Sequence, residues 1–220
     1  MALALSSAGF QVILHSGHSQ NEAGELVAQI NALGGNAKFI SADFSDPQNS
    51  LEVFSKTFKD EQHLFALINN AAIFEPGSFI DTTYESWMTH FSVNLTMPFL
   101  ISQAFAKKMR GNSGRIVNIL DWRALRPGKD HFAYTITKAA LASMTQAMAV
   151  ALAPKITVNG LALGAILPPS DDGSEKILHS IPLGRWAEIK EVTDTVLFLL
   201  TGPEYITGEI IHLDGGRHLI

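Results

Sequence analysis

The sequence predicts an α/β domain, a doubly wound parallel sheet with helices on both faces. Short runs of aliphatic and β-branched residues alternate with longer segments of helical period along the whole chain. That alternation builds βαβ units, whose strands are buried on both faces and therefore read as continuous apolar runs. The 220 residues are 46% apolar, enough for one sizeable core, and no repeat, low-complexity tract or linker divides them. One domain over 1–220 is expected.

The elements follow in order. Residues 1–8 have helical character and Gly9 breaks them. QVILH over 11–15 reads as a strand, and 21–33 as an amphipathic helix ended by Gly34-Gly35. A strand over 37–41 and a helix over 51–59 come next. LFALI over 64–68 is a buried strand that runs into Asn69-Asn70-Ala71-Ala72. One long helix is predicted over 84–108, then RIVNIL as a strand over 115–120. The helix carrying Tyr134 runs on to Pro154, which ends it. A strand over 156–161, a helix over 189–200 and a strand over 209–213 complete the pattern. Residues 168–181 (PPSDDGSEKILHSI) read either as a lid over substrate or as an ordinary solvated loop, with Asp171-Asp172 a charged surface rather than a catalytic dyad.

Composition removes several function classes. A net charge of −5 offers no basic footprint for nucleic acid. With no cysteine, disulfides, thiolate catalysis and cysteine-ligated zinc are all excluded. His15 and His18 lack a third ligand of suitable spacing, so no metal site is expected. No apolar run approaches the ~20 residues that span a bilayer, and the first residues lack the basic start of a signal peptide. A cytoplasmic protein acting on a small molecule is expected.

Tyr134-Thr-Ile-Thr-Lys138 is the strongest chemical signal. Residues at i and i+4 share one helix face, so both tips can reach one pocket. A phenol titrates near ~10, and a neighbouring ammonium favours the phenolate, making a usable acid/base pair.

As a dinucleotide-binding, Rossmann-like fold the chain departs at its start. Such folds open with a strand and a glycine-rich turn whose amides hold the pyrophosphate. Here the first strand and that turn are missing, and 11–15 behaves as the second strand. Met1 stands where the residue after the glycine turn belongs, so an in-frame upstream extension is the favoured expectation. The missing strand is central in such sheets, and its loss should expose neighbouring edges and apolar faces.

Ordered motifs across the chain resemble the short-chain dehydrogenase/reductase family. They are Asp43-Phe44, Asn69-Asn70-Ala71-Ala72, Asn94, Gly114-Arg115-Ile116-Val117-Asn118, Tyr134-x-x-x-Lys138, Val158-Asn159-Gly160, Leu163-Gly164-Ala165-Ile166 and Asp214-Gly215-Gly216. The serine that most of the family places ahead of the tyrosine is here Asp121, in Leu120-Asp121-Trp122-Arg123. That Asp-Tyr-Lys centre is similar to the pteridine reductases, which also place a phenylalanine shortly after N-N-A, as Phe74 stands here. His15-Ser16-Gly17-His18-Ser19 resembles their H-x-x-R-S, with His18 in place of arginine.

The resemblance implies that Tyr134 donates a proton as hydride arrives from a nicotinamide. Lys138 would bind the ribose hydroxyls and lower the Tyr134 pKa, and Asn94 would hold a water linking Lys138 to solvent. Phe74, Asp121 and Trp122 would meet substrate. An ionised Asp121 only accepts hydrogen bonds, which suits a ring presenting N–H groups, such as a pterin. His18, Ser19, Asp43, Phe44, Asn70, Ala71, Gly164 and Ile166 would line the cofactor, with Tyr134 and Lys138. No acid within 15–19 would chelate a ribose diol, and His18 and Ser19 suit a 2′-phosphate, so NADP (as NADPH) is the expected cofactor. The family also implies a homo-oligomer, dimer or tetramer.

Other readings stay open. Tyr134 and Lys138 could be surface residues, Asp121 a strand-end cap, Phe74 core packing and His18 a polar loop residue. The substrate could be a general ketone or a 3-oxoacyl group, or the chain could be a non-catalytic member unable to bind cofactor.

Overall fold

A computed structural model describes residues 1–168 and 174–220, with the side chains of 174–176 left aside. The expected alternation is present. It runs α1 (Ala2–Ser7), β1 (Val12–Ser16), α2 (Gln20–Ala32), β2 (Ala37–Ser41), α3 (Pro47–Asp60) and β3 (Ala66–Asn69). Then come α4 (Tyr84–Phe91), α5 (Met97–Met109), β4 (Gly114–Asp121), α6 (Phe132–Leu152) and β5 (Ile156–Leu163). α7 (Ser174–His179), α8 (Ile189–Thr201) and β6 (Ile210–Leu213) close the chain. Of the segment 168–181 read as a lid or solvated loop, residues 169–173, Asp171-Asp172 among them, lie outside the described residues.

Every described strand pair is parallel, in two groups: β1 with β2, and β3-β4-β5-β6. Side-chain alternation along β4 shows the double winding. Ile116 packs with Phe54, Phe58, Met97, Ile101 and Phe105 of α3 and α5. Val117, pointing the other way, packs with Leu161 and with Val192, Val196 and Leu199 of α8. β4 and β5 are buried almost throughout, whereas β1 and β3 are mostly half-exposed.

That difference has a structural cause. β1 and β3 are each paired on one side only, and between them lies a groove of about 720 Å³. Val12, Ile13 and Leu14 line one wall, and Ala66, Leu67 and Ile68 the other. These are the exposed edges and apolar faces expected from the sequence.

The long helix expected over 84–108 is instead interrupted. A π-turn over Ser92–Thr96 separates α4 from α5 and carries the buried Asn94. Wide turns of this kind shift a side chain out of the regular helical register. Here the Asn94 amide reaches across to Ile73, accepting from its N–H at 2.9 Å and donating to its carbonyl at 3.0 Å. The helix expected over 51–59 starts earlier, because Asp46 caps it by accepting from the Asn49 N–H and Pro47 fits its first turn.

Candidate active site

α6 begins after His131, whose backbone is left-handed at φ 52. Its first two turns bring Tyr134 and Lys138 towards the end of β4. The Tyr134 hydroxyl donates to Asp121 Oδ2 at 3.1 Å, and Lys138 Nζ donates to the Ile119 carbonyl at 2.7 Å. Both residues are buried, at 7% and 3% exposure, so neither is a surface helix residue.

Burial also sets their titration. The Lys138 ammonium is brought down to about 8 by desolvation, with the Asp121 carboxylate acting in the opposite direction. The Tyr134 phenol is pushed up, first by burial and then by the charge and hydrogen bond of Asp121. This corrects the expectation that Lys138 lowers the Tyr134 pKa. Lys138 Nζ stands 5.7 Å from the phenol ring centroid and is turned to a backbone carbonyl, whereas Asp121 accepts from the phenol directly.

Asp121 is a cap that also meets Tyr134. Its Oδ1 accepts from the Arg123 N–H at 2.8 Å, starting the 3₁₀ turn Trp122–Ala124, while Oδ2 faces Tyr134. Phe74 is not core packing: it is 50% exposed, with its ring 4.6 Å from that of Tyr134 and edge-on to it. Its other neighbour is His131, stacked at 3.9 Å and nearly parallel. Asn94 bonds Thr137 Oγ1 at 3.2 Å besides Ile73, so its amide ties the Phe74 loop to α6.

The proposed cofactor positions divide into two groups. His18 is exposed and lies 3.9 Å from Asp43 Oδ1, and Ser19 starts α2 without capping it. Phe44 stacks on His15 at 4.1 Å, lines the groove and joins the core. Asn70 and Ala71 line the same groove. Gly164 packs so closely that a Cβ there would stand 2.5 Å from the Asp214 Cα, and Ile166 rests against the α8 cluster.

Donors at both ends fit a dinucleotide. Lys138 gives one N–H to Ile119 and keeps two for ribose hydroxyls. At the other end His18 and Ser19 offer donors near a strand end that carries no acid. Among the described residues no cluster of three or more His, Asp or Glu side chains could hold a metal.

Sequence reasoning missed four groups. His131 sits one turn before Tyr134, a spacing that could have revealed it. Arg123 forms an ion pair with Asp130 at 3.0 Å, and its guanidinium lies 5.6 Å from the Phe74 ring. Arg217 lies 4.3 Å over the Trp122 ring, a contact between distant parts of the chain that no local pattern signals. Behind the site, Asn69 donates to Asn118 Oδ1 at 2.7 Å and Asn118 to Thr145 Oγ1 at 2.8 Å, cross-linking β3, β4 and α6 inside the core.

Comparison with known proteins adds a family. The profile described as enoyl-(acyl carrier protein) reductase matches residues 1–218. A 3-oxoacyl-[acyl-carrier-protein] reductase of Synechocystis sp. is 33% identical over 98% of this chain and 90% of its own length. An L-xylulose reductase of Mus musculus is 34% identical over 97% of this chain and 88% of its own. Among solved structures, FolM alternative dihydrofolate reductase 1 from Brucella canis, complexed with NADP, superposes with a TM-score of 0.91 at 32% identity. The match covers 99% of this chain and 87% of that one.

Proposed function

Because the chain belongs to the short-chain dehydrogenase/reductase family, whose members are oxidoreductases, we propose that it is an NADP-dependent reductase of the pteridine-reductase type. Its substrate would be a pterin or a related compound with a C=N or C=O bond. The observation that carries this reading is the Asp121–Tyr134 hydrogen bond beside the half-exposed Phe74. The likeness to the NADP complex of FolM from Brucella canis supports it.

When bound, the cofactor supplies hydride. His18 and Ser19 hold its adenosine phosphate, Asp43, Phe44, Asn70, Ala71, Gly164 and Ile166 line its path, and Lys138 holds the ribose hydroxyls. Phe74 offers an aromatic face on which a flat heterocycle stacks. Asp121 accepts from substrate N–H groups, which a ketone lacks. In drawing those donors Asp121 loosens its hold on the phenol. Tyr134 is then free to turn its proton to the substrate. Asn94 keeps Phe74 and α6 in register. The family context also supports a homo-oligomer.

The test is NADPH oxidation with dihydrobiopterin, dihydrofolate and a panel of ketones and 3-oxoacyl thioesters. Turnover of a dihydropterin is expected; turnover of ketones alone would sink the pterin assignment. A second reading, a general carbonyl or 3-oxoacyl reductase, is favoured by the Synechocystis and Mus musculus relatives. The third, a member that binds no cofactor, is favoured by the divided sheet and is decided by NADPH binding.

A further inference from the structure

We propose that Arg217, together with Arg123, is a carboxylate-recognising edge of the substrate pocket, so that the compound reduced here carries a carboxylate. The inference rests on the reductase reading of the Tyr134 site and adds to it a substrate class and a specificity residue.

Both guanidinium groups lie against one indole. Arg217 Cζ is 4.3 Å and Arg123 Cζ 5.2 Å from the Trp122 ring, and Trp122 directly follows Asp121. Arg123 also reaches the Phe74 ring. The pair therefore borders the surface where substrate would lie.

Arg217 is held by its backbone and unused at its head. Its N–H donates to the Asp214 carbonyl at 3.2 Å, and its own carbonyl accepts from Arg126 Nη1 at 3.1 Å. Its guanidinium donates to no acceptor among the described residues, and its Nε is buried without a partner, as is Arg123 Nε. A buried donor left unpaired is costly and rare enough to need a reason.

Nearby carboxylates do not meet that need. Asp121 accepts from Arg123 N–H and Tyr134. Asp130 takes Arg123 Nη2 and His131. Asp214 is closed by the N–H groups of Gly216 and His218 and by the His218 ring. Desolvation and the Arg123 charge depress the Arg217 pKa, a strain that an incoming anion would relieve. A guanidinium fork stacked on an aromatic face, with its terminal N–H groups unpaired among the described residues, matches the two oxygens of a carboxylate.

The test measures binding apart from turnover. Folate, which bears carboxylates, and biopterin, which bears none, are titrated into the chain with NADPH oxidation followed separately on their dihydro forms. Folate should bind at least tenfold tighter than biopterin. Arg217→Gln should erase that advantage while leaving biopterin affinity within twofold, and Arg217→Lys should restore part of it. Equal affinities in the parent, equal losses for both ligands in R217Q, or no folate binding would each overturn the inference. Folate binding that depends on Arg217 without reduction of either dihydropterin would uphold the carboxylate edge and remove the pterin-reductase reading.

Discussion

Tyr134 keeps its proton because two effects push the same way: burial, and the Asp121 carboxylate that accepts its hydrogen bond. A hydrogen bond to a charged acceptor is worth about 1.5–3 kcal/mol. Asp121→Asn should therefore lower the Tyr134 titration, though not to that of free tyrosine, since burial remains. Absorbance titration of the phenolate reads this; an unchanged or higher midpoint would show that Asp121 does not set it. Tyr134→Phe should cut kcat by roughly 10²–10⁴-fold, the usual worth of a general acid, with NADPH affinity retained. Tyr134, Lys138 and Asp121 were legible in the sequence because a helical turn and a strand end fix their places. Arg217 was not, since its meeting with Trp122 depends on how β6 and the last 3₁₀ turn pack, and the raised phenol pKa needed coordinates that place Lys138 against Ile119.

At the scale of elements, two junctions hold the site. One is β4 against α6, where Lys138 is buried. Its folded pKa lies below the ordinary value, so folding favours the neutral amine. That contribution is present in full above pH 10.5 and lost as pH falls to about 8. The parent should thus gain about 3 kcal/mol on Lys138→Met between those pH values. Denaturant midpoints across the range check this, and parallel curves for the two proteins would contradict it. The other is the close approach of Gly164 to Asp214. Gly164→Ala must move backbone there, so a loss of about 1–3 kcal/mol is expected, with the Arg217 turn disturbed; an unchanged melting temperature would show that the junction yields freely. Strand positions were readable because parallel strands are continuous apolar runs. The π-turn at Asn94 was not, because apolar periodicity runs through α4 and α5 and only the bonds to Ile73 reveal the break.

Over the whole molecule, the chain combines a well-packed part, β4 and β5 with α3, α5, α6 and α8, and a looser pair, β1 and β2, across the groove that β3 borders. Apolar walls open to water bind hydrophobic dyes and exchange amide hydrogens readily. The 220-residue chain should therefore bind such a dye, and 12–16 should exchange faster than 114–121. Equal protection of the two strands would show that the groove is closed in solution. The site straddles this division. Tyr134, Lys138, Asp121 and Phe74 belong to the packed part, while His18 and Asp43 belong to the looser side. In the proposed reading the proton-transfer residues are thus held in the packed part, and cofactor binding would depend on the groove.

The most direct measurement of the central claim is NADPH oxidation with dihydrobiopterin, comparing the parent with Tyr134→Phe, with NADPH affinity measured on both. Turnover by the parent, loss of at least ~10²-fold in the variant and equal cofactor affinity are the predicted result. NADPH binding without dihydropterin turnover, or turnover that survives removal of the Tyr134 hydroxyl, would contradict it.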